Sequence, residues 1–285
     1  MSEFEFCTKE HIAEYCKNEK EKIKKSISNA LKKGHARPRF LIIQVGNNPA
    51  SNKYVKNKIQ DCNNVEIETS LMKFPDNITY KEMSEFISKE KKWYHSIIIQ
   101  LPLPEHLSTR LNELMQFISP QQDIDGFKID SIHKPATPMG IISYIEDNKG
   151  IEWFTGKNAV VIGRSDIVGK PIAKMLTDRN CTVTLCHSKT KDIKQFTKIA
   201  DLIIVAVGKA KFINSSYISK DKDVVIFDVG INFDEETGKM CGDVDYDDVT
   251  NYINNCTPVP FGVGQLTKCQ VVKNIWNAYK TQEMR

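Results

Sequence analysis

Twelve consecutive residues, Val160-Val161-Ile162-Gly163-Arg164-Ser165-Asp166-Ile167-Val168-Gly169-Lys170-Pro171, constrain this fold more than any other part of the chain. An apolar run from Ala159 to Ile162 supplies a buried strand, Gly163 a turn, and Ile172, Ala173 and Met175-Leu176 then recur at helical spacing. Pro171 suits an early helical position, where its missing N–H is not needed. A strand that ends in glycine and feeds a helix start offers backbone N–H groups and the positive helix end to a pyrophosphate. The spacing departs from G-x-G-x-x-G, because Ser165 takes the second glycine's place and Gly169 comes later. A strand, turn and helix without a ligand would carry the same glycines, so the next strand has to decide between the two.

That strand, Cys181-Thr182-Val183-Thr184-Leu185-Cys186, ends in His187-Ser188-Lys189-Thr190. An NAD site carries Asp or Glu at that strand end, where it binds the ribose 2′-OH. Here a hydroxyl and a lysine stand there, and Arg164 is available from the first turn. An acid-free, cationic strand end suits the 2′-phosphate of NADP, which a carboxylate would repel and a guanidinium can pair. Plain turn residues at Ser188 and Lys189 would look the same, and the spacing leaves open whether Lys189 or Arg164 carries the phosphate.

The rest of the chain alternates helices and strands in two blocks. Ile12, Tyr15-Cys16, Ile23, Ile27 and Ala30-Leu31 predict a long helix ending near Gly34. Strand Phe40 to Val45, a helix from about Ser51, strand Val65 to Leu71, a helix from about Tyr80 and strand Ile97 to Leu101 come next. After Pro135-Ala136-Thr137-Pro138 the second block holds the glycine turn and strands Leu202 to Val207 and Val224 to Val229. A last helix, with Val272, Ile275-Trp276 and Tyr279 on one face, is long enough to cross back to the first block. At 285 residues the chain is long for one core. The expectation is an α/β protein of two domains with mostly parallel sheets and a cleft between them. Residues 1–136 with 266–285 form an N-terminal α/β domain, and residues 137–265 a Rossmann-type NADP domain.

Composition removes other classes. Forty Lys and Arg against thirty-six Asp and Glu leave a formal charge of +4, too small and too dispersed to argue for nucleic acid. The basic run from Lys17 to Lys33 is interleaved with Glu19 and Glu21 and reads as a solvated helix face. Eight cysteines lack a C-x-x-C pair or a histidine at zinc spacing, so reduced thiols and no metal site are expected. Met1-Ser2-Glu3-Phe4-Glu5 has no basic or apolar leader region, and no apolar stretch reaches membrane-spanning length. A cytoplasmic protein without membrane contact is expected.

The first block carries the candidates for chemistry. Tyr54 and Lys58 are four apart on a predicted helix and share a face. A phenol and a partly desolvated ammonium together can orient a planar substrate and relay protons, although a surface lysine flanked by Lys53 and Lys56 would show the same spacing. Gln100 ends the strand Ile97-Ile98-Ile99, where a polar side chain would meet a ligand. Asp123-Ile124-Asp125-Gly126-Phe127 sets two carboxylates beside a glycine turn, a pattern that an Asx turn also produces.

Taken together and in order, these segments resemble the bifunctional methylenetetrahydrofolate dehydrogenase/methenyltetrahydrofolate cyclohydrolase family. The resemblance runs through Tyr54-Val55-Lys56-Asn57-Lys58, Gln100-Leu101-Pro102-Leu103-Pro104, Asp123-Ile124-Asp125-Gly126, Pro135-Ala136-Thr137-Pro138-Met139-Gly140 and the glycine turn Gly163 to Pro171. It continues through Thr182 to Ser188, Asp228-Val229-Gly230-Ile231-Asn232, Gly242-Asp243-Val244-Asp245 and Thr257-Pro258-Val259-Pro260. It implies Lys58 as the catalytic lysine, held by Gln100, with Tyr54 stacking on the pterin-like ring and Asp125 accepting from its N–H groups. Gly262 and Val263 join the implied substrate contacts. Gly163, Arg164, Ser165, Ser188, Ile231 and Thr267 are the implied NADP contacts. The implied partners are tetrahydrofolate derivatives and, as a homodimer, a second copy of the chain.

The chain also departs from the family pattern. Only Lys128 to Lys134 separate Phe127 from Pro135, where a longer connection is usual. Gln122 stands for a usual Lys, Ala136 for a usual Cys, and Ser96 where Gly often precedes the Gln100 strand. Pro260-Phe261-Gly262-Val263-Gly264-Gln265-Leu266-Thr267 replaces Pro-Gly-Gly-Val-Gly-Pro-Met-Thr. Phe261 at a glycine with positive φ would be strained by about 1–2 kcal/mol or would remodel the loop. Two alternatives therefore stand beside the bifunctional enzyme: a homologue retaining one activity, and a non-catalytic folate- or NADP-binding protein.

Overall fold

The computed structural model describes residues 6–219 and 221–284, and Met1 to Glu5, the residues assessed for a leader, lie outside them. The chain divides into two compact units, one of residues 18–136 with 268–284 and one of residues 6–17 with 137–267.

The first unit is built on three parallel strands. Helix α1 (Lys9–Lys32) leads to β1 (Arg39–Val45), α2 (Pro49–Asn64), β2 (Glu68–Phe74), α3 (Tyr80–Glu90), β3 (Ser96–Gln100) and the short helices α4 (Glu105–Ser108) and α5 (Leu111–Met115). The sheet order is β2-β1-β3, so β1 is central and buried on both faces. Period-two alternation then makes two cores from one strand. Phe40 and Ile42 join Ile98 and α2 residues Val55 and Cys62, while Leu41, Ile43 and Val45 join Ile97, Ile99, Met83 and Ile87 on the other face. Gln44 pairs in register with Gln100, and both have the parity of the face that carries α2. Asn48 caps α2 by accepting from the Ser51 N–H at 3.0 Å, and Pro49 occupies the first turn.

One strand starts later than the sequence suggests. The apolar pair Val65 and Ile67 belongs to the end of α2 and its exit, where Val65 closes the helix and Glu66 takes φ +67°. A short apolar run cannot by itself distinguish a helix end from a strand, and β2 begins only at Glu68.

The second unit contains α6 (Ala136–Lys149), β4 (Asn158–Ile162), α7 (Gly169–Thr177), β5 (Thr182–Cys186), α8 (Lys194–Thr197), β6 (Leu202–Val205) and β7 (Val225–Asp228). A two-stranded ribbon, β8 (Asn232–Phe233) and β9 (Met240–Cys241), comes next, then α9 (Tyr246–Val249) and α10 (Val263–Glu283). Its parallel sheet has the order β5-β4-β6-β7. The order reverses at β4, so the C-terminal end of β4, at Gly163, is the switch point where α/β sheets bind ligands. Val160, Ile162, Ile203, Val205 and Ile226 form one core with Ile213, Val244 and Val249. Strand β6 stops at Val205 rather than Val207, because the Val207 and Gly208 N–H groups turn to the Asp243 carboxylate.

The C-terminal helix α10 spans both units, and its residues from Lys268 on belong to the three-stranded one. Val272, Ile275, Trp276 and Tyr279 are buried there, as their spacing predicts. All eight cysteines are free thiols. Among the described residues, no helix is long and apolar enough to cross a membrane.

Candidate active site

In the three-stranded unit the sequence candidates meet at the C-terminal end of β3. The parity that puts Gln100 on the α2 face lets Lys58 reach it, and the Lys58 Nζ donates to Gln100 Oε1 at 2.9 Å. The Gln100 amide is fixed from its other end, its Nε2 donating to the Leu101 carbonyl at 2.8 Å. Its oxygen is thereby committed to the lysine. Tyr54 stands one helical turn before Lys58, half-buried, and burial raises its phenol above the ordinary range.

The two carboxylates of Asp123-Ile124-Asp125 separate by role. Asp123 is fully buried and serves the backbone, accepting from the Gly126 N–H at 3.2 Å and the Lys128 N–H at 2.8 Å. Asp125 accepts no hydrogen bond among the described residues. Burial pushes it up to about 6, opposed by the Lys58 ammonium and assisted by the neighbouring Asp123. The residue as a whole is partly exposed. The short segment after it is tightly tied: the Ser131 hydroxyl donates to the Asp123 carbonyl at 3.0 Å, and the Lys128 Nζ donates to the Ile118 carbonyl at 2.7 Å.

The dinucleotide candidates lie in the four-stranded unit. Gly163 takes φ +117° and runs so close to Ala206 that a β-carbon would overlap the Ala206 carbonyl. Gly169 in turn packs on the Gly163 carbonyl, with no room for a side chain. Ser165 Oγ accepts from the N–H of Val168 at 3.2 Å and of Gly169 at 3.3 Å, which leaves its own O–H to donate outward, toward an anion. Ile162 and Cys186 are paired across β4 and β5, so Arg164 and Ser188 each lie two residues beyond a shared register position. Arg164, Ser188 and Lys189 are exposed, and Asp166 is engaged by Lys170 at 2.6 Å. A glycine cradle, a donating hydroxyl and a rim of Arg164 and Lys189, with Asp166 paired to Lys170, fit the pyrophosphate and 2′-phosphate of NADP.

The remaining candidates also fall in this unit. Ile231 is exposed beyond β7, and the Thr267 hydroxyl donates to the Val263 carbonyl at 3.1 Å and meets the Thr137 hydroxyl at 3.0 Å. Gly262 and Val263 belong to the four-stranded unit, apart from Tyr54, Gln100 and Asp125. Phe261 does adopt φ +84°, with its ring about half exposed, its carbonyl held by Gln265 Nε2 at 2.8 Å and the Lys9 Nζ 4.8 Å from the ring centre. Sequence reasoning gave no role to Thr137 or to the buried carboxylates Asp228 and Asp243. Their only signal was the set of short motifs that contain them.

Comparison with known proteins identifies the family. The catalytic-domain model of the tetrahydrofolate dehydrogenase/cyclohydrolase family matches residues 11–125, and its NAD(P)-binding-domain model matches residues 135–283. The bifunctional protein FolD of Bacillus cytotoxicus is 41% identical over 248 residues, covering 83% of this chain and 84% of that protein. The crystal structure of the bifunctional FolD methylenetetrahydrofolate dehydrogenase/cyclohydrolase from Campylobacter jejuni superposes with a TM-score of 0.88 at 35% identity, over 94% of this chain and 96% of that one. The Trypanosoma brucei enzyme, solved in complex with NADP cofactor and an inhibitor, gives a TM-score of 0.85 at 26% identity, over 94% and 95% of the two chains. By both of its domains and by close relatives along most of its length, this chain belongs to the tetrahydrofolate dehydrogenase/cyclohydrolase family.

Proposed function

We propose that this protein oxidises 5,10-methylenetetrahydrofolate with NADP⁺ and hydrolyses the resulting 5,10-methenyltetrahydrofolate to 10-formyltetrahydrofolate. The observation that carries the reading is the Lys58–Gln100 hydrogen bond, 2.9 Å long, within the electrostatic reach of the Asp125 carboxylate. Asp125 anchors the pterin by accepting from its N–H groups, and Tyr54 stacks on the ring and orients it. When bound through Gly163, Arg164, Ser165, Ser188, Ile231 and Thr267, NADP⁺ supplies the hydride acceptor.

In the hydrolytic step water adds to the methenyl carbon, a C–O bond forms, and the bond from that carbon to one of its two nitrogens breaks. The formyl group stays on the other nitrogen and one proton is released. Lys58 Nζ handles the protons that move between water and the departing nitrogen, and Gln100 Oε1 fixes the position of that Nζ. Lys58→Met therefore lowers the cyclohydrolase rate by about a hundredfold or more and spares much more of the dehydrogenase rate. The test is absorbance at the methenyl and NADPH bands, with each step started separately from its own substrate. Equal retention of both activities removes Lys58 from the mechanism.

The strained Phe261 favours a second reading, in which the hydrolytic activity survives and the dehydrogenase is impaired. Methenyl decay without NADPH formation in the same assay would select it. The chain acts in the cytoplasm, a setting that suits its eight free thiols, and pairs with a second copy. Sedimentation of the purified protein as a monomer at micromolar concentration would contradict the homodimer.

A further inference from the structure

Asp243 is fully buried, and its carboxylate is met by backbone N–H groups and one side-chain amide. Its Oδ2 accepts from the N–H of Val207 at 2.6 Å and of Gly208 at 2.9 Å, and its Oδ1 from the N–H of Lys209 at 2.8 Å and the Asn232 side-chain amide at 2.9 Å. Asp243 is itself held by a second buried carboxylate. Asp228 accepts from the N–H of Gly230 at 2.9 Å, of Asp243 at 3.0 Å and of Val244 at 2.8 Å.

The donors come from two loops that leave the C-terminal ends of β6 and β7, the edge of an α/β sheet where ligands bind. The first loop runs along the glycine turn, with the Ala206 N–H donating to the Ile162 carbonyl at 2.8 Å and Gly163 pressed against the Ala206 carbonyl. The second loop carries the exposed Ile231 between two tied neighbours, Gly230 on Asp228 and Asn232 on Asp243. Buried carboxylate oxygens are costly to leave unpaired, and here four donors from the two loops meet them.

We propose that Asp243 is a positioning residue for the dinucleotide: its carboxylate presets Val207 to Lys209 and Gly230 to Asn232 beside the glycine turn, and Asp228 fixes Asp243 in place. The inference rests on the reading of that turn as the NADP site. Asp243→Asn keeps the shape but replaces one acceptor oxygen with an amide NH₂, so in either orientation two of the four donors face a donor.

The test titrates the full chain and its Asp243→Asn variant with NADP⁺ by calorimetry. It also measures methenyltetrahydrofolate hydrolysis without dinucleotide and the dehydrogenase KM for each substrate. The Kd and KM for NADP⁺ should rise about tenfold or more, with the folate KM and the hydrolysis rate within about twofold of wild type. If Asp243→Asn does not fold, Asn232→Ala removes a single donor and should weaken NADP⁺ about threefold. Unchanged NADP⁺ affinity in the variant, with wild type binding normally, overturns the positioning role. Parallel loss of NADP⁺ binding and hydrolysis also overturns it, because that pattern marks a purely structural residue. A wild-type chain that binds no NADP⁺ fails earlier, at the cofactor reading itself.

Discussion

Phe261 holds a backbone φ of +84° that glycine adopts freely and a β-carbon does not. Two substitutions separate strain from contact. Phe261→Ala keeps the β-carbon and loses the ring over Lys9, whereas Phe261→Gly loses both. Relief of left-handed strain should make the glycine variant about 1 kcal/mol more stable than the alanine variant in urea unfolding. Equal midpoints for the two would mean that the loop had already adapted to the side chain. At Asp125 the energetics run against stability. Its carboxyl is pushed up to about 6 by burial, against an ordinary value near 3.8, so ionising it in the folded chain is unfavourable. Below about pH 4 both states are protonated and nothing is lost; between pH 4 and 6 the folded chain loses stability, by about 1–2 kcal/mol because partial exposure screens the full effect. Asp125→Asn should therefore match wild type near pH 4, melt higher than wild type at pH 7, and bind folate poorly. A melting difference independent of pH would place the destabilisation elsewhere.

Helix α2 and the turn from β4 to α7 are the elements to which the proposed chemistry is assigned, and they were legible to different depths. Spacing alone set Tyr54 and Lys58 on one face of α2, and the apolar run Ile97-Ile98-Ile99 set Gln100 at a strand end. Neither could say that Lys58 and Gln100 meet, because that contact depends on the parallel pairing of β1 with β3 and on α2 covering that face. The division of labour between Asp123 and Asp125 was likewise hidden, since both fit an Asx turn until the Gly126 and Lys128 N–H groups are seen to turn to Asp123. Helix α6 was masked by the prolines at its start, and β2 was displaced by the apolar exit of α2. The glycine turn was legible because its residue types are dictated by contact: a side chain at Gly169 would strike the Gly163 carbonyl. Gly169→Ala should open that turn and weaken NADP⁺ binding by more than about tenfold, while the hydrolysis of methenyltetrahydrofolate, proposed to lie on residues of the other unit, persists. Intact NADP⁺ affinity in that variant would show that the pyrophosphate does not use this cradle.

At the scale of the molecule, each unit is completed by a segment distant in sequence. Residues 6–17 belong with 137–267, and residues 268–284 with 18–136. The second of these segments is energetically decisive. Val271, Val272, Ile275, Trp276, Ala278 and Tyr279 are buried in the core that also holds Phe40, Ile42 and Val55. At about 1.5–3 kcal/mol for each large apolar side chain, their burial contributes roughly 8–15 kcal/mol, as much as the whole stability of an ordinary domain. A chain ending at Thr267 should therefore lose the three-stranded unit, and with it the Lys58–Gln100 arrangement, while the four-stranded unit keeps its own core of Val160, Ile203, Ile226 and Val244. Circular dichroism should show partial loss of structure, methenyltetrahydrofolate hydrolysis should vanish, and NADP⁺ should still raise the melting temperature of what remains, because a ligand stabilises only the unit that binds it. Hydrolysis surviving the truncation would place the chemistry outside the α2–β3 site. Loss of NADP⁺ stabilisation along with hydrolysis would mean that the two units fold as one cooperative body, each depending on the helix they share.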